Sequence, residues 1–223
     1  MVKRLLISID DTDIIGGEGT GKLARRIVKD LDLEVEGITR HQLYVHPSIK
    51  YTKRNSCNVI MAKKGDVLDS VRKIIKERFQ DGSDPGLAIA DVVPDSVRKF
   101  GREAQKKVLS KSEATMIARE ARIHLEDLGG TGDGIIGALA GIGLCSTGDD
   151  GRYIMLPGMR ELGGATTVRK LGEMGIGVTV LDSGKRLEEG RVILSDRIRP
   201  SRISGRPVLF VEECEGAYYP VVL

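Results

Sequence analysis

The sequence predicts an α+β fold, and three patterns carry that prediction. A buried strand, an acidic and Gly-rich loop, and an amphipathic helix follow one another over residues 4–31. Strand, helix, strand, helix then recur over 57–107, the pattern of a split βαβ or ferredoxin-like layer. Beyond residue 150 the chain breaks into short strands separated by turn residues.

RLLISI (4–9) is a nearly unbroken apolar run and reads as a buried strand. In 20–31, Leu23, Ile27, Val28 and Leu31 fall on one helical face with charges opposite, and Thr20 is placed to cap the helix. Strands are expected at 38–46 and 57–62, joined by a basic polar loop. Val67, Val71, Ile74, Ile75 and Phe79 form a helical stripe, and DGSDPG (81–86) is a turn. LAIADVV (87–93) reads as a strand. Pro94 then opens a polar helix, since a first turn needs no N–H there. Ser112 opens a helix over 112–122. A short strand, a Gly-rich turn and a helix of apolar and small residues fill 123–144. Strands follow near 152–156, 177–181, 190–195, 207–211 and 218–222, with a helix near 164–174. There is no internal repeat.

The 223 residues are 40 % apolar and 30 % charged, which fits a soluble globular chain with a real core. A formal charge of +3 permits an anionic partner without demanding one. Cys57, Cys145 and Cys214 lie far apart and form no CxxC pair, so no structural zinc site is expected. They fit the reduced thiols of a cytoplasmic protein. The first apolar stretch is too short for a signal peptide. No apolar run approaches the roughly 20 residues of a membrane span, so no membrane partner is expected.

Residues 10–22 raise the chemical question. Asp10, Asp11 and Asp13 crowd the C-terminal end of a buried strand, with Thr12 between them. Such carboxylates repel one another, and a cation relieves the repulsion. Mg²⁺ is usually held by one or two carboxylates, with water and substrate phosphates completing its shell. The same residues also suit a solvated loop, where Asp is a common turn and cap residue. Gly16 to Lys22 reads G-x-x-x-x-G-K, but Leu23 stands where a phosphate-binding loop needs Ser or Thr. Leu23 belongs to the apolar face of the helix, so the standard P-loop reading fails. Gly17, Gly19 and Gly21 still allow backbone N–H groups to approach a phosphate, and Lys22 adds a positive charge.

Three more stretches stand out. Residues 39–59 hold Arg40, Lys50, Lys53 and Arg54 with Tyr44 and Tyr51 and no acid. That composition suits phosphates and stacked bases, and equally a solvated basic hairpin. GGTGDGIIGALAGIG (129–143) again runs a glycine loop into a helix. Gly130, Thr131, Gly132 and Gly134 offer backbone to a phosphate, and Asp133 offers a carboxylate to a metal or ribose. Gly137, Ala138, Ala140 and Gly141 fit close helix packing instead. RIRPSRISGR (197–206) has four arginines and no acid, which suits either a polyanion or ordinary surface.

Taken in order, these stretches resemble the archaeal isoleucine-tRNA agmatinylcytidine synthetase family. IDDTD, a Gly-containing loop and a Thr ten residues after the first Asp resemble its start. HPSIKYTKRNSCNV is similar to its Asn-Pro-Asn-Ile-Pro-Tyr-Lys-Thr-Arg-Gly-Asn segment, and SDPGLAI to its Asn-Pro-Gly-Leu segment. GIIGALAGIG resembles its Gly-Leu-Ile-Gly-Ala-Leu-Ala-Ala-Ile-Gly helix. GRPVLFVEECEG is more weakly similar to a later Pro-Val-Leu-Phe/Tyr-Gly-Ile-Arg-Gly strand.

That family modifies the wobble cytidine of an isoleucine tRNA, using ATP and agmatine. The resemblance implies a kinase-like α/β domain split in sequence around an inserted ferredoxin-like domain, here 1–62 and 110–223 around 63–109. It implies that Asp10, Asp11 and Asp13 serve Mg²⁺ and ATP, that Thr20 accepts a phosphoryl group, and that Lys53 and Arg54 contact phosphate or substrate. The loops at 16–21 and 130–134 then cradle ATP phosphates from two sides, with Lys22 near the transferring group. Two departures matter. The family's Cys-Thr-Thr is here Gly19-Thr20-Gly21, leaving one hydroxyl. Its OB-fold and Cys-rich zinc ribbon find no match in a chain without CxxC. The expectation is a short stand-alone relative: an ATP- and Mg²⁺-dependent phosphoryl-transfer enzyme of ligase type, acting on a tRNA, a nucleotide or a small-molecule acceptor. The alternative is a non-catalytic RNA- or nucleotide-binding module on the same fold. The acceptor and the oligomeric state stay open.

Overall fold

The computed structural model describes residues 4–52, 54–63, 65–194 and 197–221. The chain begins β1 (Arg4–Asp10), α1 (Thr20–Asp30), β2 (Val35–Gln42), β3 (Ser56–Lys63), α2 (Leu68–Glu77) and β4 (Gly86–Ala90). It continues with α3 (Asp95–Ala104), α4 (Lys111–Ala121), β5 (His124–Asp127), α5 (Gly134–Thr147) and β6 (Arg152–Met155). After a 3-10 turn at Met159–Glu161 come β7 (Gly164–Thr167), α6 (Val168–Glu173), β8 (Gly177–Val180) and β9 (Arg186–Leu187). β10 (Arg191–Leu194), β11 (Ser201–Ile203), β12 (Arg206–Cys214) and β13 (Ala217–Pro220) complete the described chain.

The fold is mixed α+β, built on one large mixed sheet in the order β5-β4-β1-β3-β2-β6-β11-β12-β13-β10-β7, with β8 on β12 and β9 on β8. β1 lies antiparallel between β3 and β4, and β3 pairs antiparallel with β2. β1-α1-β2 and β3-α2-β4 are therefore two interleaved split βαβ units. Residues 63–109 supply α2, β4 and α3 to this same sheet and its faces. Register sets Ile9, Asn58 and Arg40 in a row across β1, β3 and β2, with Arg152 of β6 beside Arg40. The loops after β1 and before β3 and β4 thus gather at one end of the sheet.

Strand alternation divides the core. Leu5, Ile7, Ile9 and Ile60 pack against Leu23 and Ile27 of α1 and Val71 and Ile75 of α2. Leu6, Val59, Met61 and Ala88 pack on the other side with Phe100, Leu139 and Ile142. α5 is apolar all round because it is buried all round. Its small residues let it press on the sheet: a Cβ on Gly141 would lie 2.3 Å from Ser8 Oγ.

Some boundaries differ from expectation. α1 starts at Thr20 and is capped by Gly19, because the Thr20 hydroxyl is engaged elsewhere. Ser110, not Ser112, caps α4, in a reciprocal box with Glu113. Residues 164–174 divide into β7, paired with β10, and α6, capped by the Thr167 side chain. β9 and β11 are too short to show a period in sequence. Among the described residues no helix is long and apolar enough to cross a membrane.

Candidate active site

β1 ends at Asp10, and the chain then turns sharply. Asp11 takes φ +49°, a left-handed conformation that Asp tolerates better than most side chains. Asp13 reaches back across the loop. Its Oδ1 accepts a hydrogen bond from Thr20 Oγ1 at 2.9 Å, and its Oδ2 accepts one from Thr52 Oγ1 at 2.9 Å. Gln80 braces the glycine loop, donating to the Thr12 carbonyl at 2.9 Å and accepting from the Glu18 N–H at 3.2 Å. A Cβ on Gly17 would lie 2.0 Å from Gln80 Oε1, whereas nothing lies within 4 Å of one on Gly19. The Gly17 N–H closes a turn onto the Ile14 carbonyl at 3.0 Å, so Gly17 shapes the loop while Gly19 opens onto the cavity.

Two cavities meet here. The larger holds about 750 Å³ and is walled on one side by Gly17, Gly19, Thr20, Gly21 and Lys22. Arg25, Arg40, Arg54, Arg160, Arg197 and Arg199 also line it, and Asp13 is the one acid among its described lining residues. The smaller holds about 160 Å³ and is lined by Asp10, Asp11, Asp84 and Asp133 together with Lys50 and Lys107, with an apolar wall that includes Leu43 and Leu109. Asp13, Thr52, Arg54 and Ser56 line both.

The electrostatics differ accordingly. Burial, reinforced by Asp11, pushes the Asp10 carboxyl up to about 8. Burial, with Asp84 and Asp13 nearby, pushes Asp11 up to about 7. Burial also opposes ionisation of Asp84, but the Thr131 N–H and Lys50 hold it below the usual carboxylate range. Lys50 Nζ lies 3.4 Å from Asp84 Oδ2. In the larger cavity, burial and then Arg160 and Arg197 lower the Arg25 pKa; burial and then Arg199 and Arg54 lower that of Arg40. Among the described residues, Lys22, Arg25, Arg40, Arg54, Arg160 and Arg199 make no salt bridge.

The second glycine loop is built differently. Asp133 and Gly134 line the smaller cavity, but Gly130, Thr131 and Gly132 line neither. The Thr131 N–H donates to Asp84 Oδ1, and a Cβ on Gly130 would lie 2.3 Å from that same oxygen. This loop wraps one of the protein's own anions. Lys53 lies outside the described residues. Among the described residues no three His, Cys, Asp or Glu side chains converge as a metal-binding group. The acidic set nevertheless fits Mg²⁺. That ion needs only one or two carboxylates beside water and phosphate, and the raised pKa values mark carboxylates that a cation would relieve.

Sequence reasoning missed Asp84, Thr52, Asn58, Arg25 and Arg160 as site residues. Asp84 was hidden in a turn motif and Thr52 in a basic segment. Arg25 and Arg160 stand among ordinary charged residues and give no local signal.

No protein-family model matches the chain, and no curated protein matches it. Solved structures do, and they are of tRNA-modifying enzyme type: one enzyme solved apo and in complexes with tRNA and ATP or AMPCPP. The chain is 27 % identical to TiaS in its complex with an isoleucine tRNA and ATP, at a TM-score of 0.55, over 63 % of this chain and 36 % of that one. It is 26 % identical to apo TiaS, an agmatidine synthetase for that isoleucine tRNA, at a TM-score of 0.54, over 63 % and 35 %. TiaS in complex with the tRNA, AMPCPP and agmatine gives 26 % and 0.53 over 63 % and 36 %. The likeness is to the same enzyme family that the motifs resemble. The chain spans little more than a third of those structures, 36 % of the first.

Proposed function

We propose that the chain is an ATP- and Mg²⁺-dependent phosphoryl-transfer enzyme of ligase type, acting on a tRNA, a nucleotide or a small-molecule acceptor. One observation carries the reading: the Thr20 hydroxyl, on the wall of the basic cavity, is hydrogen-bonded at 2.9 Å to Asp13, which lines both the basic and the acidic cavity. The likeness to proteins solved with tRNA and ATP supports it. On this reading the N–H groups at Gly19 and Gly21, on a loop shaped by Gly17, hold ATP phosphates together with Lys22. Asp10, Asp11 and Asp13 are the residues for Mg²⁺, which neutralises phosphate charge when bound. Asp13 orients Thr20 Oγ1 and takes its proton as that oxygen bonds to the γ-phosphorus. The bond from phosphorus to the β–γ bridging oxygen breaks, and ADP leaves. Arg54, Asp133 and Gly134 face the group that later receives the phosphoryl. The domain is kinase-like in this sense, and its ferredoxin-like part draws on β1 and β2 as well as on 63–109.

Incubated with Mg²⁺ and γ-labelled ATP, the protein labels itself; Thr20→Ala does not, and Thr20→Ser still does. Labelling that survives Thr20→Ala overturns the assignment. The second reading is a non-catalytic RNA- or nucleotide-binding module. The arginine-lined cavity favours it, and it predicts RNA binding with no self-labelling.

A further inference from the structure

Taking a proton from Thr20 asks more of Asp13 than nearness: a carboxylate oxygen must face the hydroxyl and stay there. The terminal torsion of an Asp side chain is broad and roughly two-fold, so one contact leaves the carboxylate free to turn. Here there is a second contact. Asp13 Oδ1 accepts from the Thr20 hydroxyl and Oδ2 from the Thr52 hydroxyl, each at 2.9 Å. We propose that Thr52 is a positioning residue, which fixes the orientation of the Asp13 carboxylate toward Thr20. That this orientation serves proton transfer rests on the phosphoryl-transfer reading; the hold itself does not.

Three observations carry the proposal. First, the Asp13 side chain has no other anchor. Gln80 ties the backbone on either side of it, at the Thr12 carbonyl and the Glu18 N–H. Among the described residues the carboxylate accepts hydrogen bonds from the two threonines alone and enters no salt bridge. Hydrogen bonds to an ionised carboxylate are about twice as strong as neutral ones, so two of them make an effective clamp.

Second, Thr52 can serve as a fixed point. It lies between β2 and β3, outside any helix or strand, yet that segment is pinned on both sides of it. Lys50 Nζ donates to the Gly82 carbonyl at 3.0 Å, and Asn55 Nδ2 donates to the Tyr44 carbonyl at 2.7 Å.

Third, the fold does not need the Thr52 hydroxyl. Thr52 is only half-buried, caps no helix, and makes no other side-chain hydrogen bond among the described residues. Its place is where the reaction would use it: Thr52 lines both cavities, whereas Thr20 lines only the larger. The first loop offers Asp13 one hydroxyl, from Thr20, and the wall shared by the two cavities supplies the other.

Thr52→Val keeps the side-chain shape and removes the hydroxyl. Self-labelling of the full chain with γ-labelled ATP and Mg²⁺ is followed as a single-turnover rate constant over a range of ATP concentrations. Thr52→Val is expected to slow it by about 10-fold, since reacting groups tolerate little misplacement. The ATP concentration giving half the maximal rate stays within about 2-fold, because the loss falls on the chemical step. Thr52→Ser restores the rate. On an Asp13→Asn background Thr52→Val costs nothing further, because Thr52 acts through Asp13; a merely structural role would slow both backgrounds alike. A crystal structure of Thr52→Val without ATP reads the hold directly. Asp13 is expected in more than one orientation, or turned out of hydrogen-bond reach of Thr20 Oγ1. Four results overturn the proposal: a wild-type rate in Thr52→Val, equal slowing on both backgrounds, phosphate found on Thr52 itself, or an Asp13 carboxylate unmoved in the variant. A wild type that does not label itself sinks the transfer reading instead, and the position of Asp13 in Thr52→Val then decides the hold alone.

Discussion

The two cavities that meet at Asp13 are opposite in charge and opposite in how the protein treats that charge. The larger gathers six arginines, and five of them, Arg25, Arg40, Arg54, Arg160 and Arg199, make no salt bridge among the described residues. The smaller gathers carboxylates and answers the crowding internally. Lys50 and the Thr131 N–H hold Asp84, and burial lifts Asp10 to about 8 and Asp11 to about 7. Guanidinium groups cannot shed their protons near neutrality, so an incoming anion adds to the relief that Asp13 gives Arg40. Carboxylates can take protons up, so the second trades a cation against protons. The glycine loops follow the same division: the one on the basic side leaves Gly19 facing open space, while the one on the acidic side wraps Asp84.

The largest expected effect falls on the residue common to both sides. Asp13→Asn reduces the rate of self-labelling by about 100-fold or more, as loss of a general base does. Quench-flow or timed gel assays read it; a wild-type rate would remove Asp13 from proton transfer. The two glycine loops give the next contrast. Gly134→Ala drives a Cβ to 1.9 Å from the Asp84 carbonyl oxygen, which cannot move aside. Urea unfolding is expected to show about 3 kcal/mol lost. Gly19→Ala meets nothing within 4 Å and costs about 1 kcal/mol or less, through a poorer helix cap.

The carboxylate side predicts an unusual gain. The folded pKa values of Asp10 and Asp11 lie above their ordinary 3.8, at about 8 and about 7. Their contribution to stability is therefore complete below the ordinary value and is lost as pH rises through those folded values. Asp10→Asn removes the loss, so the melting temperature at about pH 8 rises by about 3 °C or more while little changes near pH 4. Mg²⁺ is expected to raise the wild-type melting temperature more at the higher pH. A gain that is independent of pH would contradict burial of an ionising carboxyl as its cause.

The smallest effect lies under β2, on the face away from the basic cavity. His41 is fully buried, with Nδ1 at 2.7 Å from Asp150 Oδ1 and Nε2 at 2.8 Å from Thr39 Oγ1. Burial alone would lower its pKa, but the bonds to Asp150 and Cys145 raise it to about 9. Its stabilisation is thus whole below the ordinary 6.5 and is lost as pH rises through about 9. Chemical denaturation at about pH 10 should find about 1 kcal/mol or more missing relative to pH 6.

Sequence made part of this visible. β1, α1, α2 and α5 follow from apolar runs and helical stripes, because burial on one or all faces leaves a period in the residues themselves. The acidic run and the glycine loop were legible for the same reason: their chemistry is contiguous. What was not legible depends on distant partners. Residues 164–167 carry no strand pattern, and β10 makes them one. Thr20 looks like a cap, but Asp13 takes its hydroxyl and leaves the capping to Gly19. Asp84 looks like a turn residue until Thr131, Lys50 and Asp11 are brought round it. Arg160 looks like surface, and Arg197 and Arg199 suit either a polyanion or surface, until the fold brings them beside Arg25 of α1.

The most direct measurement is phosphopeptide mass spectrometry of the full chain after incubation with ATP and Mg²⁺. Phosphate is expected on Thr20 and lost in Asp13→Asn. Phosphate confined to any other residue, or none on a chain that binds ATP, would contradict the phosphoryl-acceptor role of Thr20.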